Sequence, residues 1–242
     1  MKMSDAGASP GLIESAALGL LTRGARVAEV QLLGPRYRRI RLEGEGLRGR
    51  DWTPGDTVRL VLPGWHKRCY TPSTWDGERG VLDFVAYLHG DGPASVWAAT
   101  VNAGDVCPIR GPRGAIDLPT IAAPALLFGD ETSLSTAAAL RALDARSVVV
   151  LEVESVAEAQ AALAALGITD AWLFAREHDD SQLDAIQRRL LDHLQGEAEA
   201  SAALTGRSIS IQRLYKALRQ AGVATRRLKN HAYWAPGKKG LE

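Results

Sequence analysis

The sequence predicts two domains in tandem, an antiparallel β-barrel followed by a smaller α/β domain built on a parallel sheet. A change in the pattern of residue types along the 242 residues supports this prediction. Up to about residue 119, short segments rich in β-branched and aromatic residues end near Gly, Pro or Asp. Beyond that point, apolar strands alternate with helices of about 10–15 residues, the pattern of parallel strands joined by crossover helices.

Six segments predict the strands of the barrel. Apolar and charged side chains alternate in them, as at Ile40 and Leu42 beside Arg39 and Arg41, which is the pattern of a half-buried strand. Short strands at such close spacing favour an antiparallel barrel or a sandwich. The predicted strand segments are 25–34, 37–47, 56–64, 67–75, 81–90 and 104–114.

The second half reads as a Rossmann-like alternation. A buried strand passes into an Ala/Leu helix over 124–143, and further strands and helices follow to Trp234. The residue pattern changes from that of short strands to that of alternating strands and helices within 119–124. This predicts a barrel domain over 1–120 and an α/β domain over 121–242. A short helix is predicted over 12–21, before the first strand.

Composition excludes several classes of protein. Hydrophobic residues make up 46% and charged residues 24% of the chain, as in ordinary globular domains. Cys69 and Cys107 are the only cysteines, too few for a disulfide framework or for a zinc or iron–sulfur site built on cysteines, and we expect a reducing cytoplasm. The apolar N-terminal stretch is interrupted by Glu14, so we expect neither a signal peptide nor a stable membrane association.

The net charge of +1 is unevenly distributed. Residues 141–200 carry twelve acidic and five basic side chains, whereas residues 201–242 carry nine basic side chains and one acid, Glu242. The basic stretch could attract an anionic ligand, or it could be a solvated helix face followed by a loose tail. We expect no nucleic acid partner and a monomeric chain.

The first chemical constellation is Arg68, Tyr70 and Thr71, at the end of a predicted barrel strand. An isoalloxazine ring needs an aromatic face to stack on, a hydroxyl near its polar edge and a cation near the pyrophosphate, and these residues supply all three. The alternative is an ordinary strand that happens to contain Arg and Tyr.

The second constellation runs from His89 to Ala98. Gly90 and Gly92 allow a tight turn, Pro93 suits the first helical position, and the free N–H groups of the next residues can bind phosphate. Because Gly92 to Ser95 could hold a pyrophosphate, FAD is predicted and not FMN. The alternative is an ordinary helix start, and His89 on its own suggests a structural residue.

Together these stretches resemble the siderophore-interacting protein family, flavin-dependent ferric-siderophore reductases of the ferredoxin–NADP reductase-like superfamily. That family has Arg-x-Tyr-Thr on one strand, a strand ending in Asp-Phe-Val, and then His-Gly and Gly-Pro-Ala-Ser-x-Trp-Ala. The resemblance implies an antiparallel FAD-binding barrel and a nicotinamide domain. The residues that it implies for FAD are Arg68, Tyr70, Thr71, Ser73, Asp83, Val85, His89, Gly92, Ala94, Ser95 and Trp97.

A third stretch resembles the family's Gly-Asp-Glu-Thr sequence at the start of the nicotinamide domain. It is a strand-to-helix turn, where a glycine lets the backbone approach a ligand and the helix dipole favours a phosphate or an amide. The ending Ala232-Tyr233-Trp234 also resembles the family's close. The residues predicted for NADH or NADPH in this stretch are Gly129, Asp130, Glu131 and Thr132.

Two positions depart from the family's pattern. A second Arg often follows the Tyr-Thr pair, whereas Pro72, Ser73 and Thr74 stand here. Arg207 follows Thr205-Gly206 where the family has an Ala-Gly-Glu stretch. We expect any preference for NADPH to depend on Arg176, or failing that on Arg207, because a guanidinium can bind a 2′-phosphate bidentately.

The resemblance implies that NAD(P)H reduces FAD and that reduced FAD reduces a bound ferric siderophore. Such an enzyme requires no general acid, nucleophile or permanent metal ligand, so no catalytic side chain and no metal site are predicted. The charge argument gives Lys229, Lys238 and Lys239 as candidates for binding an anionic siderophore. Two alternatives stay open: a general NAD(P)H:flavin oxidoreductase or ferredoxin partner, and a siderophore-binding protein without flavin.

Overall fold

The structure is a computed structural model that describes residues 23–121 and 123–238. The predicted helix over 12–21 and Lys239 lie outside the described residues. The first part is a sheet of seven strands in which every neighbouring pair is antiparallel. Its strands are β1 (Arg23–Gly34), β2 (Tyr37–Glu43), β3 (Thr57–Leu62), β4 (His66–Tyr70), β5 (Thr74–Asp76), β6 (Val81–Tyr87) and β7 (Val106–Arg113).

The sheet curls until strands near its two ends meet. Its order is β4-β3-β7-β1-β2-β6-β5, yet the ring of Tyr70 on β4 lies 4.6 Å from the ring of Phe84 on β6. Along β2, the buried Ile40 and Leu42 alternate with partly exposed arginines, because successive side chains of a strand point to opposite faces. The predicted barrel is confirmed.

Two local features of the barrel prepare the candidate site. The single strand predicted over 67–75 is divided into β4 and β5, and Pro72 lies in the gap, where it has no N–H to donate to a ladder. Helix α1 (Pro93–Thr100) packs against β3, β4 and β6. The ring of Trp97 lies nearly parallel to that of Phe84, with centroids 6.5 Å apart, inside the barrel core.

The second part is a five-stranded parallel sheet of order β10-β9-β8-β11-β12. Strands β9 and β10 lie on one side of β8, and β11 and β12 lie on the other, so the topological switch point falls between β8 and β11. The strands and helices are β8 (Ala125–Gly129), α2 (Leu134–Leu143), β9 (Val148–Val153), α3 (Val156–Ala165), β10 (Trp172–Ala175), α4 (Gln182–Gly196), β11 (Ser201–Arg207), α5 (Ser208–Gln220) and β12 (Leu228–Trp234).

Helices cover both faces of this sheet. Helices α2 and α3 share one core with Val149 and Leu151 of β9, and α4 and α5 share another with Val150. Buried residues of α4 and α5 recur at helical spacing, which gives each helix one apolar face. The predicted Rossmann-like alternation of strand and helix is confirmed.

The two parts share a hydrophobic core. Leu33, Tyr37 and Val85 of the barrel belong to the same buried cluster as Leu134 and Leu151 of the α/β domain. The last barrel strand ends at Arg113 and β8 begins at Ala125; the boundary between residues 120 and 121 stays a prediction. No helix among the described residues has the length and apolar character that crossing a membrane requires.

Candidate cofactor site at the domain interface

Arg68 and Tyr70 lie on the same face of β4, because they are two residues apart on a strand. Both side chains are half-buried, and the Tyr70 ring packs against Phe84 at the edge of the barrel core. Burial raises the pKa of the Tyr70 hydroxyl, which therefore remains a neutral donor. The structure brings together the cation and the ring that the sequence predicted for FAD.

Thr71 and Ser73 follow β4, and they point to different partners. The hydroxyl of Thr71 lies 3.2 Å from the Tyr233 hydroxyl of the α/β domain. The backbone N–H and the hydroxyl of Ser73 both donate to the carbonyl of Asp83, at 2.8 and 3.1 Å. Ser73 therefore holds β5 against β6, whereas Thr71 faces the second domain.

The Asp83 carboxylate is enclosed by donors from the barrel itself. Arg41 donates to both of its oxygens, at 2.9 and 3.1 Å, and Arg39 and Thr74 donate at 2.8 and 3.1 Å. Burial opposes ionisation, but the hydrogen bonds from Arg41 and Arg39 outweigh it and lower the pKa of Asp83. These contacts fix the side chain on the face of β6 opposite to Phe84, outside the barrel core, and its predicted contact with FAD stays a prediction.

The turn before α1 is closed by Ser95. Its hydroxyl accepts from the His89 N–H at 2.9 Å and donates to the His89 carbonyl at 2.8 Å. Gly92 is the N-cap of α1 and Pro93 its first residue, and no side chain among the described residues caps this end. The first N–H groups of α1, including that of Ala94, therefore have no side-chain cap among the described residues and can bind a phosphate.

Three other residues predicted for FAD have partners of their own. The exposed ring of His89 stacks on Tyr87, with centroids 5.9 Å apart. The N–H of Val85 donates to the Ser135 hydroxyl across the domain interface, at 2.7 Å. Trp97 is 9% exposed and belongs to the barrel core. These partners could not be predicted from the sequence, because the pattern of residues does not show which neighbour a side chain meets.

Asp130 is the central residue of the switch point. Its Oδ1 accepts from the N–H and the hydroxyl of Thr132, at 2.8 and 2.5 Å, and its Oδ2 accepts from the Trp234 indole N–H at 2.7 Å. The side chain is completely buried, and burial raises the pKa of its carboxyl. Asp130 thus caps the turn before α2 and fixes the end of β12.

Two glycines allow the loops of the switch point to approach each other. A Cβ on Gly206, whose φ is +91°, would lie 2.5 Å from Oδ2 of Asp130. A Cβ on Gly129 would lie 2.4 Å from the side chain of Ser133. Only glycine fits at either position, because a neighbouring side chain already fills the space that a Cβ would take.

Glu131 and Arg176 form a buried ion pair at the neighbouring strand ends. Nη2 of Arg176 donates to Oε2 of Glu131 at 2.6 Å, and Oε1 of Glu131 accepts from the Glu154 N–H at 2.6 Å. Arg207 is paired in the same way, since its two Nη groups donate to both oxygens of Asp180. Neither arginine presents an unpaired guanidinium, and the prediction that they bind a 2′-phosphate stays a prediction.

Lys229 and Lys238, two of the lysines predicted to bind a siderophore, lie far apart along the chain's last strand and the residues after it. Lys229 is exposed near the start of β12, whereas the exposed Lys238 follows the end of that strand. From residue 229 to residue 234 the strand extends about 17 Å at 3.3–3.4 Å per residue. Lys229 and Lys238 therefore lie toward opposite ends of β12, and their role in siderophore binding stays a prediction.

Tyr233 joins the two halves of the site. Its hydroxyl lies 2.6 Å from that of Thr136 on α2 and 3.2 Å from that of Thr71. Sequence comparison with the family's ending pointed to this tyrosine, but nothing in the sequence showed which residues it contacts. The end of β4 and the start of α2 are thereby held side by side.

The residues present fit FAD. An FAD molecule needs a cation and N–H donors for its pyrophosphate and an aromatic ring for its flavin, and Arg68, the start of α1 and Tyr70 supply them. A Cβ on Gly90 or Gly92 would meet no heavy atom of the described residues within 4 Å, so the turn is open to a ligand.

Solved structures with the same fold share about a quarter of this sequence or less. A siderophore utilization protein from T. fusca aligns with a TM-score of 0.72 and 24% identity, over 91% of this chain and 95% of that one. The siderophore-interacting protein SipS from Aeromonas hydrophila gives 0.69 and 24%, over 90% and 94%. The Amycolatopsis cytochrome P450 reductase GcoB gives 0.68 and 22%, over 90% and 71%.

Two family models match consecutive parts of the chain. The siderophore-interacting FAD-binding domain matches residues 65–116, which contain β4, α1 and β7. The siderophore-interacting protein model matches residues 122–237, which contain the whole parallel sheet. The first match makes FAD the cofactor of the barrel. With both models matched in order across the site described above, the chain belongs to the siderophore-interacting protein family.

Proposed function

We propose that this chain is an FAD-dependent reductase that uses NAD(P)H to reduce ferric siderophores and release Fe(II). The family and the fold support a flavin-dependent reductase. The ferric siderophore as acceptor, NAD(P)H as donor in place of a reduced ferredoxin, and a cytoplasmic location are the finer parts of the proposal.

The observation that carries the proposal is the Tyr233 hydroxyl between Thr71 and Thr136. Thr71 follows the FAD stretch of β4, and Thr136 lies in the first turn of α2, which begins at the switch point. Nucleotides bind to open parallel sheets at such a point. Hydride transfer requires donor and acceptor in contact, and the contact of Tyr233 with Thr71 and Thr136 supports two adjacent sites.

The protein's part is to bind and position. Arg68 and the N–H groups at the start of α1 bind the pyrophosphate, Tyr70 supports the flavin ring, and Gly129 and Gly206 let the loops of the switch point pack closely. When bound, FAD accepts two electrons as a hydride and donates them singly, so one NAD(P)H yields two Fe(II), NAD(P)⁺ and a proton. Fe(II) is held more weakly by anionic oxygens than Fe(III), because its charge is lower.

The test is anaerobic reduction of the FAD-loaded full chain, with NADH and NADPH in separate experiments. We expect the flavin absorbance to bleach, and to recover when a ferric siderophore is added together with a chromophoric Fe(II) chelator. Two Fe(II) should form for each nicotinamide oxidised. Bleaching without formation of Fe(II) would indicate a general flavin reductase, and a colourless protein that takes up no FAD would indicate a siderophore-binding protein.

A further inference from the structure

We infer that this chain selects NADH and discriminates against NADPH, through Glu154 and through the pairing of Arg176 with Glu131. The inference rests on the proposed function, since it specifies the donor of the same site. It concerns the edge of the parallel sheet where β8, β9 and β10 end. In an open α/β sheet the adenosine ribose lies over this edge.

Carboxylates dominate this edge, which we call the acidic edge. It consists of six acids and the three arginines that pair with their carboxylates, one of them from the barrel, while a fourth arginine, Arg213, donates to the Asp180 carbonyl. A 2′-phosphate adds a charge of about −1.5 to −2, which the excess of carboxylates repels. The acids are Glu131, Glu152, Glu154, Glu177, Asp179 and Asp180, and the arginines are Arg36, Arg176 and Arg207.

Arg176 and Arg207 already pair with carboxylates of the α/β domain. Arg176 donates to Glu131 at 2.6 Å and to the Glu152 carbonyl at 3.2 Å, and only 15% of its side chain is exposed. Arg207 binds Asp180 through both Nη groups. A 2′-phosphate could gain a bidentate guanidinium only by displacing a carboxylate, which would then be left without its partner.

Glu154 has the position and the charge to bind an unmodified ribose. It is the first residue after β9, and in dinucleotide-binding folds an acid at the end of the second strand accepts the ribose 2′-hydroxyl. Its Oε2 accepts from Arg36 and, at 3.1 Å, from the Tyr87 hydroxyl. Its Oε1 lies 3.8 Å from Arg176, and 51% of the side chain is exposed.

Neighbouring side chains stabilise the ionised form of Glu154. Burial opposes ionisation of this carboxyl, but the hydrogen bonds from Arg36 and Tyr87 outweigh it and lower its pKa. At neutral pH the side chain is therefore an anion that accepts a hydroxyl and repels a phosphate at the same position. One residue thus provides both the attraction to NADH and the exclusion of NADPH.

The test measures binding without turnover. ADP-ribose and 2′-phospho-ADP-ribose, which lack the nicotinamide, are titrated calorimetrically into the FAD-loaded full chain at low salt. We expect ADP-ribose to bind at least about tenfold more tightly, with a ratio that falls as salt screens the carboxylates. Glu154→Gln should bring the ratio toward one. Glu199→Gln, which removes the same charge just before β11 at the opposite edge of the sheet, should leave it unchanged.

The outcomes separate the inference from the proposed function. Equal or tighter binding of the 2′-phosphorylated probe to the wild type overturns the inference and leaves the reductase proposal intact. An unchanged ratio in Glu154→Gln also overturns it, because the discrimination then has another origin. Binding of neither probe overturns both, since a reductase that takes electrons from a nicotinamide must hold its adenosine half.

Discussion

Asp83 of the barrel and Asp130 of the α/β domain are both buried, and their carboxylates are satisfied in opposite ways. Asp83 is bound by two guanidinium groups, those of Arg39 and Arg41, and its pKa is lowered although burial opposes this. Asp130 is bound by neutral donors, among them the Trp234 indole, and burial raises its pKa. Burial alone therefore does not decide the charge of these groups.

The difference separates two kinds of site residue. The charge-paired carboxylate ties β6 to β2 and β5 and thereby stabilises the barrel. The carboxylate held by neutral donors fixes the loops of the switch point, where the backbone of the two strand ends must stay close together. Among the variants that follow, those at Gly206, Asp83 and Trp234 each test one side of this comparison.

The largest effect is expected for Gly206→Ala. The new Cβ would lie 2.5 Å from Asp130, at a φ of +91° that side chains disfavour. We expect the free energy of unfolding to fall by about 3 kcal/mol, the sum of strain and overpacking. Urea denaturation measures the loss. Gly196→Ala, at a position where a Cβ meets nothing within 4 Å of the described residues, is the matched control and should be harmless.

Asp83→Asn should lower the free energy of unfolding by about 2 kcal/mol at pH 7, since it leaves two arginines without their anion. The folded-state pKa is lowered, so the stabilisation by Asp83 is complete above the unfolded-state pKa and is lost as the pH falls through the folded-state pKa. The difference between wild type and variant should therefore shrink from about pH 4 downward.

The control for this variant is Asp144→Asn, at an exposed ion pair with Arg146. Surface pairs contribute little, so we expect only a small change in stability at any pH. Equal losses in the two variants, or a loss for Asp83→Asn that grows toward low pH, would contradict the assignment of Asp83 as a charge-paired carboxylate.

Tyr70→Leu should weaken FAD binding by about 1.5 kcal/mol, because leucine retains apolar contact with Phe84 but offers no ring to the flavin. Trp97→Leu should do the reverse, lowering stability with little effect on FAD affinity, since its ring packs on Phe84 inside the core. Flavin fluorescence titration and thermal unfolding of both variants decide. If FAD affinity fell more in Trp97→Leu, the roles of the two rings would have to be exchanged.

The smallest effect is expected for Trp234→Phe, which removes one neutral donor from Asp130 and should cost about 1 kcal/mol at pH 8. The indole N–H stabilises the ionised carboxylate, so its loss raises the pKa of Asp130 further. The deficit should therefore grow as the pH rises through the folded-state pKa of Asp130, as measured by urea denaturation over a series of pH values. A deficit independent of pH would show that the hydrogen bond does not act on the ionised form.

The sequence predicts what depends on local pattern. Arg68 and Tyr70 lie on the same face because side chains of a strand repeat every two residues. The turn at Gly129 is predicted because a strand passes there directly into a helix. The division of the chain into a barrel and an alternating α/β domain rests on the same kind of signal, summed over many residues.

The contacts that the sequence missed depend on register and on domain packing. Asp83 meets Arg41 because β2 and β6 pair in one particular register. Thr71 meets Tyr233 across 162 residues of chain, and Arg176 meets Glu131 only because β9 and β10 end beside β8. The spacing of these residues along the chain does not indicate which of them contact each other.

The hydrophobic cluster that holds Leu33, Tyr37 and Val85 against the α/β domain makes the two domains one cooperative unit of unfolding. The α/β domain cannot unfold while the barrel stays folded, because the barrel would then lose part of its own core. The chain should therefore show a single calorimetric transition whose enthalpy matches the whole described fold. A barrel expressed alone would present an apolar face where its partner belongs, and it should aggregate.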